Sequence, residues 1–366
     1  MIITKIYLAK LSIPLRTPFV TALRRVEYMD ETVVIIETRS GHKGYGEAPP
    51  TAAITGDTAE SIAAAIGEIA PLLIGQDINV FHSCLGAVHE TVSGNPSAKA
   101  ALEIALYDLW AQNIGLPLHR ALGAHDDDLR TGLTISINPL EEMVADSVSA
   151  VKRGFDHLKV KVGLDVAEDM RKLAAIRSAV GDSVAICVDA NQGWTRDDAI
   201  SAMQKMEAAG LVFDFLEQPV PAVDLAGMKA IRAAIKTPLL ADESVFTPED
   251  AQTVLGMGAA DIVNIKLMKS SGISRATSIA GIAQEHGASC MIGVMLEGPI
   301  SVAAAACFAA AHPEVVTRFD LDGPSLASVN PIRGGTEFIE AAIHLPATPG
   351  LGIEGVDGME LFREFN

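Results

Sequence analysis

The chain has 366 residues, 49% hydrophobic and 20% charged, enough to bury a large core in more than one domain. Its formal net charge of -18 argues against a nucleic-acid partner, which would want a basic face. Cys84, Cys187, Cys290 and Cys307 are scattered with no close pair, so neither a disulfide framework nor a zinc site is suggested.

The first stretch, "MIITKIYLAKLSIPL", breaks short alternating apolar runs with charges and reads as a strand. It lacks the long apolar core of a signal peptide. Residues 1–125 then mix strands ("ETVVIIETRSGHKGYGEA") with helices ("TAESIAAAIGEIAPLL", "SAKAALEIALYDLWAQNIG"), the pattern of an α+β unit. The charged loop "GAHDDDLR" ends it. From Thr131 onward a short strand, a loop and an amphipathic helix repeat at intervals of roughly 25 residues. The strand candidates are "GLTISIN", "HLKVKV", "SVAICVDA", "FDFLEQP", "PLLADE", "DIVNIKL", "SCMIGVM" and "VTRFDLD". Most are apolar on both faces, as parallel strands covered on each side should be. Eight near-equal units without a glycine-rich phosphate loop favour a closed TIM-type (β/α) barrel over an open doubly wound sheet. The run "ISVAAAACFAAA" is too short to span a bilayer and reads as a buried helix. The expected organisation is an α+β capping domain over 1–125 and a barrel over 126–323. A segment over 324–366 breaks the period and returns to the cap. A soluble, cytoplasmic protein with no membrane partner is expected. The sequence leaves its oligomeric state open, a homo-oligomer included.

In such a barrel the working groups stand at the C-terminal ends of the strands. Those ends carry Lys159 and Lys161, Asp189, Glu217, Asp242, Lys266, and Asp320 with Asp322. Charged residues are seldom buried without a partner. The bland role for a strand-end carboxylate is to cap the next helix, but other residues already serve there. Thr195 with Asp198, Thr247 with Pro248 and Asp250, Asp165 with Glu168, and Asp224 fill those cap positions. Asp189, Glu217 and Asp242 on consecutive strands would repel unless a cation sat between them. All-oxygen ligation selects a hard ion, Mg²⁺ first and Mn²⁺ second. Asn191 and Gln218 read equally well as groups that orient these ligands and as polar loop residues.

Lys159 and Lys161 share a strand face, since side chains alternate across a strand. They lie one strand before Asp189, and Lys266 lies one strand after Asp242, which places lysines on opposite sides of the metal. A neighbouring ammonium and a bound cation are both expected to lower a lysine's pKa toward the range of a base.

The motifs "KVK", "DAN", "EQP", "ADES" and "NIKL", in this order and spacing, resemble the muconate lactonizing enzyme subgroup of the enolase superfamily. The resemblance extends to "GEA" and "PGLGIE" and covers nearly the whole chain. It implies removal of a proton α to a carboxylate, with the enediolate held on Mg²⁺; the handling of such sites with a lysine base is a known pattern. By the same resemblance Asp189, Glu217 and Asp242 are metal ligands, Lys161 and Lys266 the acid/base pair, and Lys159 a contact for the substrate carboxylate. "FDLD" looks like the mark of the dipeptide epimerases, where Asp320 and Asp322 would hold a substrate's α-ammonium. "TPFVTALRRVEY", "GEAPPTAAITGD" and "ADESVFTPEDA" are similar to the L-Ala-D/L-Glu type, which implies that Arg24, in a loop ahead of the first strands, faces a Glu side chain. Arg25 is its neighbour and an alternative. Leu296 and Ile54 would be apolar walls and Thr134 a hydrogen-bond donor. The expected partner is a dipeptide. An N-acylamino acid racemase or cycloisomerase is the alternative within the superfamily, and a metal-binding barrel without catalysis the alternative outside it. The preferred dipeptide and the pathway, peptidoglycan-peptide recycling included, are left open.

Overall fold

The computed structural model describes residues 1–20 and 25–366. In chain order the strands begin with β1 (Ile3–Val20), β2 (Arg25–Thr38), β3 (Lys43–Ala48) and β4 (Asp128–Arg130). Eight short ones follow: β5 (Leu133–Ile135), β6 (His157–Lys161), β7 (Ala185–Asp189), β8 (Leu216–Glu217), β9 (Leu239–Ala241), β10 (Ile262–Ile265), β11 (Ser289–Gly293) and β12 (Val316–Asp320). The last are β13 (Ile332–Gly334), β14 (Glu337–Ile339), β15 (Ala342–His344), β16 (Ile353–Val356) and β17 (Glu360–Phe365).

The N-terminal sheet is antiparallel in the order β17-β1-β2-β3. Its two faces belong to two cores. Val34 and Ile36 pack on the helices Ala59–Leu73, Phe81–Glu90 and Pro96–Ile114. Val33 and Ile35, on the other face, join the core of the barrel. Alternation along one strand therefore glues cap helices and barrel to the same sheet.

The eight strands β5 to β12 form one parallel sheet, each pairing with the next in sequence. The sequence predicts a closed barrel, and the sheet is nearly closed. Between β12 and β5 there is no regular ladder. Gly132 N–H donates to the Phe319 carbonyl at 3.1 Å, Leu321 N–H to Thr131 Oγ1 at 2.8 Å, and Thr134 N–H to Asp322 Oδ2 at 2.7 Å. Side chains of Thr131 and Asp322 thus take part in closing the seam. The helix caps fall where the sequence places them. Thr195, Thr247, Asp165 and Asp224 each accept a hydrogen bond from the third residue onward, and Thr247 with Asp250 completes a capping box. The helix Pro299–Ala310 is buried along its whole length. No helix among the described residues is long and apolar enough to cross a membrane.

Beyond the barrel the chain serves both halves. β17 pairs with β1, whereas β15 pairs with β4 on one side and β14 on the other.

β3 lies close on the helix Pro96–Ile114 because Gly44 and Gly46 carry no side chains there. A Cβ on Gly46 would stand 1.8 Å from the Ala101 carbonyl oxygen, which is backbone and cannot turn away. Gly46→Ala should therefore cost at least the about 1–3 kcal/mol of an overpacked core. Thermal unfolding should show a midpoint lowered by a few degrees, and an unchanged midpoint would mean that the helix can retreat from the sheet.

Candidate active site

The barrel interior is built in layers. Cys187, Phe215, Leu240, Ile262 and Met291 form an apolar plug, four of them two residues before Asp189, Glu217, Asp242 and Gly293 or nearby on their strands. One level higher the interior turns polar. Lys161 is level with Asp189 and Asp189 with Glu217 in the pairing of β6, β7 and β8. Asp242 and Lys266 directly follow β9 and β10, and Asp320 ends β12. The period-two pattern that sends Val160 into the outer core leaves Lys159 and Lys161 no face but the inner one.

All of these charges are buried. Lys161 Nζ donates to Asp189 Oδ2 at 2.6 Å, and Lys266 Nζ to Asp242 Oδ2 at 2.7 Å. Lys159 sits among three carboxylates, 3.1 Å from Asp189, 3.0 Å from Glu217 Oε1 and 2.8 Å from Asp320. The two outer lysines thus stand at opposite sides of the acidic group, and Lys159 at its centre. Burial works against Asp189's charge, but Lys161 and Lys159 outweigh it and hold the carboxyl down at about 2. Burial and the nearby charge of Asp189 push Glu217 up to about 8. Burial, with Asp320 beside it, pushes Asp322 up to about 6.

The lowering expected of the lysines assumes a bound cation; among the protein's own groups, two of them shift the other way. Burial does work against the charge of Lys159 and Lys266, yet both are raised. Asp320, Glu217 and Asp189 decide the matter for Lys159, and Asp242 for Lys266. Carboxylates in direct contact dominate at these distances.

Several groups absent from the sequence reading complete the site. Lys269, buried on the turn after Lys266, donates to Asp242 Oδ1 at 2.5 Å, to the Asp242 carbonyl at 2.6 Å and to the Asn264 carbonyl at 3.1 Å. Its own ammonium is held down by burial. Asn264 Nδ2 donates to Glu217 Oε1 at 2.9 Å. The signal for Lys269 was its spacing of three from Lys266, which puts both on one side of a helical turn. Asn191 and Gln218 each bond to one of the strand-end acids, through main-chain atoms on one side of each bond. Asn191 N–H donates to Asp189 Oδ1 at 2.9 Å, and Gln218 Oε1 accepts from Asp242 N–H at 3.0 Å. Both have left-handed backbones, with φ of 41° and 33°, so the chain turns sharply as it leaves β7 and β8.

The donor set suits a hard cation. Glu217 Oε2, Glu243 Oε2 and Asn191 Oδ1 are buried oxygens without a hydrogen-bond partner, although Glu217 Oε2 does lie 2.9 Å from Lys159 Nζ. As the side chains stand, no three His, Cys, Asp or Glu among the described residues converge closely enough to grip an ion. Each carboxylate faces a lysine instead. Oxygen chemistry and the unpartnered oxygens fit the ion, and the ammonium groups mark what it would displace.

Above this layer lies a cleft of about 40 Å³, room for a few waters. Thr134, Leu296, Asp320 and Asp322 line it, and Phe19 and Ile54 reach over it from the N-terminal part of the chain. Thr134 uses its backbone N–H on Asp322. Arg24 lies outside the described residues. Its place in the chain is between β1 and β2, not ahead of the first strands as expected. Arg25 is exposed and 3.9 Å from Glu27, so it does not point inward.

Eight parallel strands with acidic ends and paired lysines, roofed by an antiparallel N-terminal sheet, define an enolase-superfamily barrel. The chain matches the Enolase C-terminal domain-like family over residues 142–357 and the mandelate racemase/muconate lactonizing enzyme N-terminal domain over residues 3–123, and it belongs to that family. Within it, the chain is 45% identical to the L-Ala-D/L-Glu epimerase of Bacillus subtilis, over 96% of this chain and 97% of that one. It is 38% identical to the hydrophobic dipeptide epimerase of Enterococcus faecalis, over 96% and 99% of the two chains. The substrate-liganded B. subtilis epimerase superposes with a TM-score of 0.95, covering 97% of this chain and 99% of that one. The E. faecalis dipeptide epimerase, complexed with Mg and L-Leu-L-Tyr, gives 0.93 at 37% identity, covering 97% and 100%.

Lys269 spends all three of its N–H bonds on Asp242 and its neighbour. Lys269→Met would keep the volume and leave a buried carboxylate short of a partner, a loss of about 3–5 kcal/mol. Denaturant unfolding should show that loss. A midpoint equal to that of the parent would mean Lys266 alone satisfies Asp242.

Proposed function

We propose that the chain is a Mg²⁺-dependent dipeptide epimerase of the cytoplasm, inverting the α-carbon of the C-terminal residue by two-base proton transfer. One observation carries this reading. Lys161 and Lys266 stand on opposite sides of one acidic cleft, each anchored by a carboxylate that a cation would take over. Asp189, Glu217 and Asp242 would hold the metal, with Mn²⁺ as a substitute. When bound, the ion supplies positive charge to the substrate carboxylate and so acidifies the α C–H. Lys159, freed from Asp189 and Glu217, turns to that same carboxylate. One outer lysine takes the α-proton from its face as the other delivers a proton to the opposite face. Asp320 and Asp322 hold the α-ammonium of the first residue, which N-acyl substrates lack. Arg24 is our candidate for the Glu side chain, on sequence grounds. Leu296 and Ile54 wall that side of the cleft. The B. subtilis relative acts on L-Ala-D/L-Glu by name, and Ala-Glu is our first choice of substrate.

The test is a dipeptide library in D₂O, scored by mass for α-deuterium uptake. Ala-Glu should exchange and epimerise, and N-acetylation should slow it by orders of magnitude, since a closed-site charge pair is worth about 2–5 kcal/mol. A preference for N-acyl amino acids would move the chain to the racemase branch. Chelation should abolish turnover and Mg²⁺ restore it; full activity in verified metal-free protein would end the carboxylate-triad assignment.

The two lysines can be separated by stereochemistry. Lys161→Ala and Lys266→Ala should each stop epimerisation, with each variant still exchanging the α-proton of the one epimer its remaining lysine faces. Near-parental epimerisation by either would rule out two-base transfer. Arg24→Ala should harm Ala-Glu far more than a dipeptide ending in a neutral residue.

A further inference from the structure

A second set of buried carboxylates lies away from the barrel strands, where the cap meets the barrel. Glu31 on β2 and Glu47 on β3 share the barrel-facing side of the sheet, Glu47 being level with Val33. Glu297 follows β11. The three come together around Gly298. Glu31 Oε1 accepts from Gly298 N–H at 2.9 Å, and a Cβ on Gly298 would stand 2.1 Å from Glu47 Oε1. Glu47 Oε2 accepts from Ile300 and Ser301 N–H at 2.9 and 3.0 Å, capping the buried helix Pro299–Ala310. Glu297 Oε1 accepts from Met295 N–H at 2.8 Å.

Each of the three keeps one oxygen without a partner: Glu31 Oε2, Glu47 Oε1 and Glu297 Oε2. None is more than 3% exposed. No Lys, Arg or His among the described residues lies within ion-pair distance of any of them. The other charges that reach them are Asp30, which adds to the repulsion on Glu31, and Lys266, which acts on Glu297 from the end of β10. Three ionised carboxylates in so dry a place, with no cation in contact, would cost several kcal/mol apiece. The bonds these glutamates do make come from backbone N–H groups, and protons on the three unpartnered oxygens would relieve the repulsion.

We infer that Glu31, Glu47 and Glu297 form a proton-holding junction that fastens the cap to the barrel and fixes residues 294–298, the segment that carries Leu296 into the cleft. Losing its protons sets like charges against each other and loosens that segment locally. The electrostatics agree in direction. Burial raises Glu31, Glu47 to about 8 and Glu297 to about 7, from an ordinary value of 4.5. A carboxyl raised on folding contributes stability that is fully present below 4.5 and is lost as pH climbs through the folded value, so the window runs from about 4.5 to about 8.

Thermal unfolding of the full chain from about pH 5 to about pH 9 should show a midpoint that falls across that window, and Glu297→Gln should cut the fall by roughly a third. Amide hydrogen exchange supplies a second readout that needs no variant. After correction for intrinsic rates, the Met295, Gly298, Ile300 and Ser301 amides should lose protection as pH rises from 6 to 9, in the manner of a local opening, while those of β7 and β10 keep theirs. Parallel stability curves for parent and variant, or corrected protection at those four amides independent of pH, would overturn the junction. Neither measurement uses a substrate, so the epimerase reading stands or falls separately.

Discussion

The mouth of the barrel holds Asp189, Glu217, Asp242, Glu243, Asp320 and Asp322 together with Lys159, Lys161, Lys266 and Lys269, all of them buried. Each of these charges would be ruinous alone in such a place and is tolerable only through the others. That mutual dependence sets what the rest of the chain must do. Strands must end in register, so that opposite charges meet within hydrogen-bond distance. A dry plug must lie beneath, because water entering from below would weaken every pairing. A roof must lie above, and it has to come from elsewhere, since eight strand ends cannot cover themselves.

Much of this was legible in the sequence because it is local. A strand's period fixes which residues face inward, so the lysine pair, the strand-end carboxylates and the helix caps could all be read before any fold was known. The same logic missed Lys269, whose inward position depends on where a one-turn helix begins. Nor does it reach the seam between β12 and β5, where one of the closing bonds runs from Thr134 N–H to the Asp322 side chain. How strongly the carboxylates hold the lysines charged was not legible either: it depends on contact distances between strands, which no spacing in one strand contains.

Glu31, Glu47 and Glu297 show the limit most clearly. Within "ETVV", "GEA" and "LEGP" each glutamate looks like a solvated residue at the edge of an apolar run. Only the folded chain brings together residues more than 250 positions apart, as the bonds from Glu47 to Ile300 and Ser301 do. Two carboxylate groups in one protein thus solve burial in two ways: the barrel mouth recruits lysines, and the cap junction keeps protons. The first arrangement leaves charge available for chemistry, and the second removes it from where rigidity is wanted.

The sheet shared by two cores also constrains how a substrate gets in. Ala9, Leu11, Ile13, Met29 and Tyr45 of the cap belong to the same apolar cluster as the barrel's own Leu158, Val188 and Ile292. Swinging the cap away as a body would tear that cluster and wet both sides of it, so jaw-like domain opening is not available. A substrate still has to pass Phe19 and Ile54, which line the cleft. Admission falls to the rim, where the turn around Ile54 can fold back while the sheet behind it stays still. Turnover would then be gated by the stiffness of that short turn, and the speed of the gate could be retuned without touching a single residue that meets the reacting carbon.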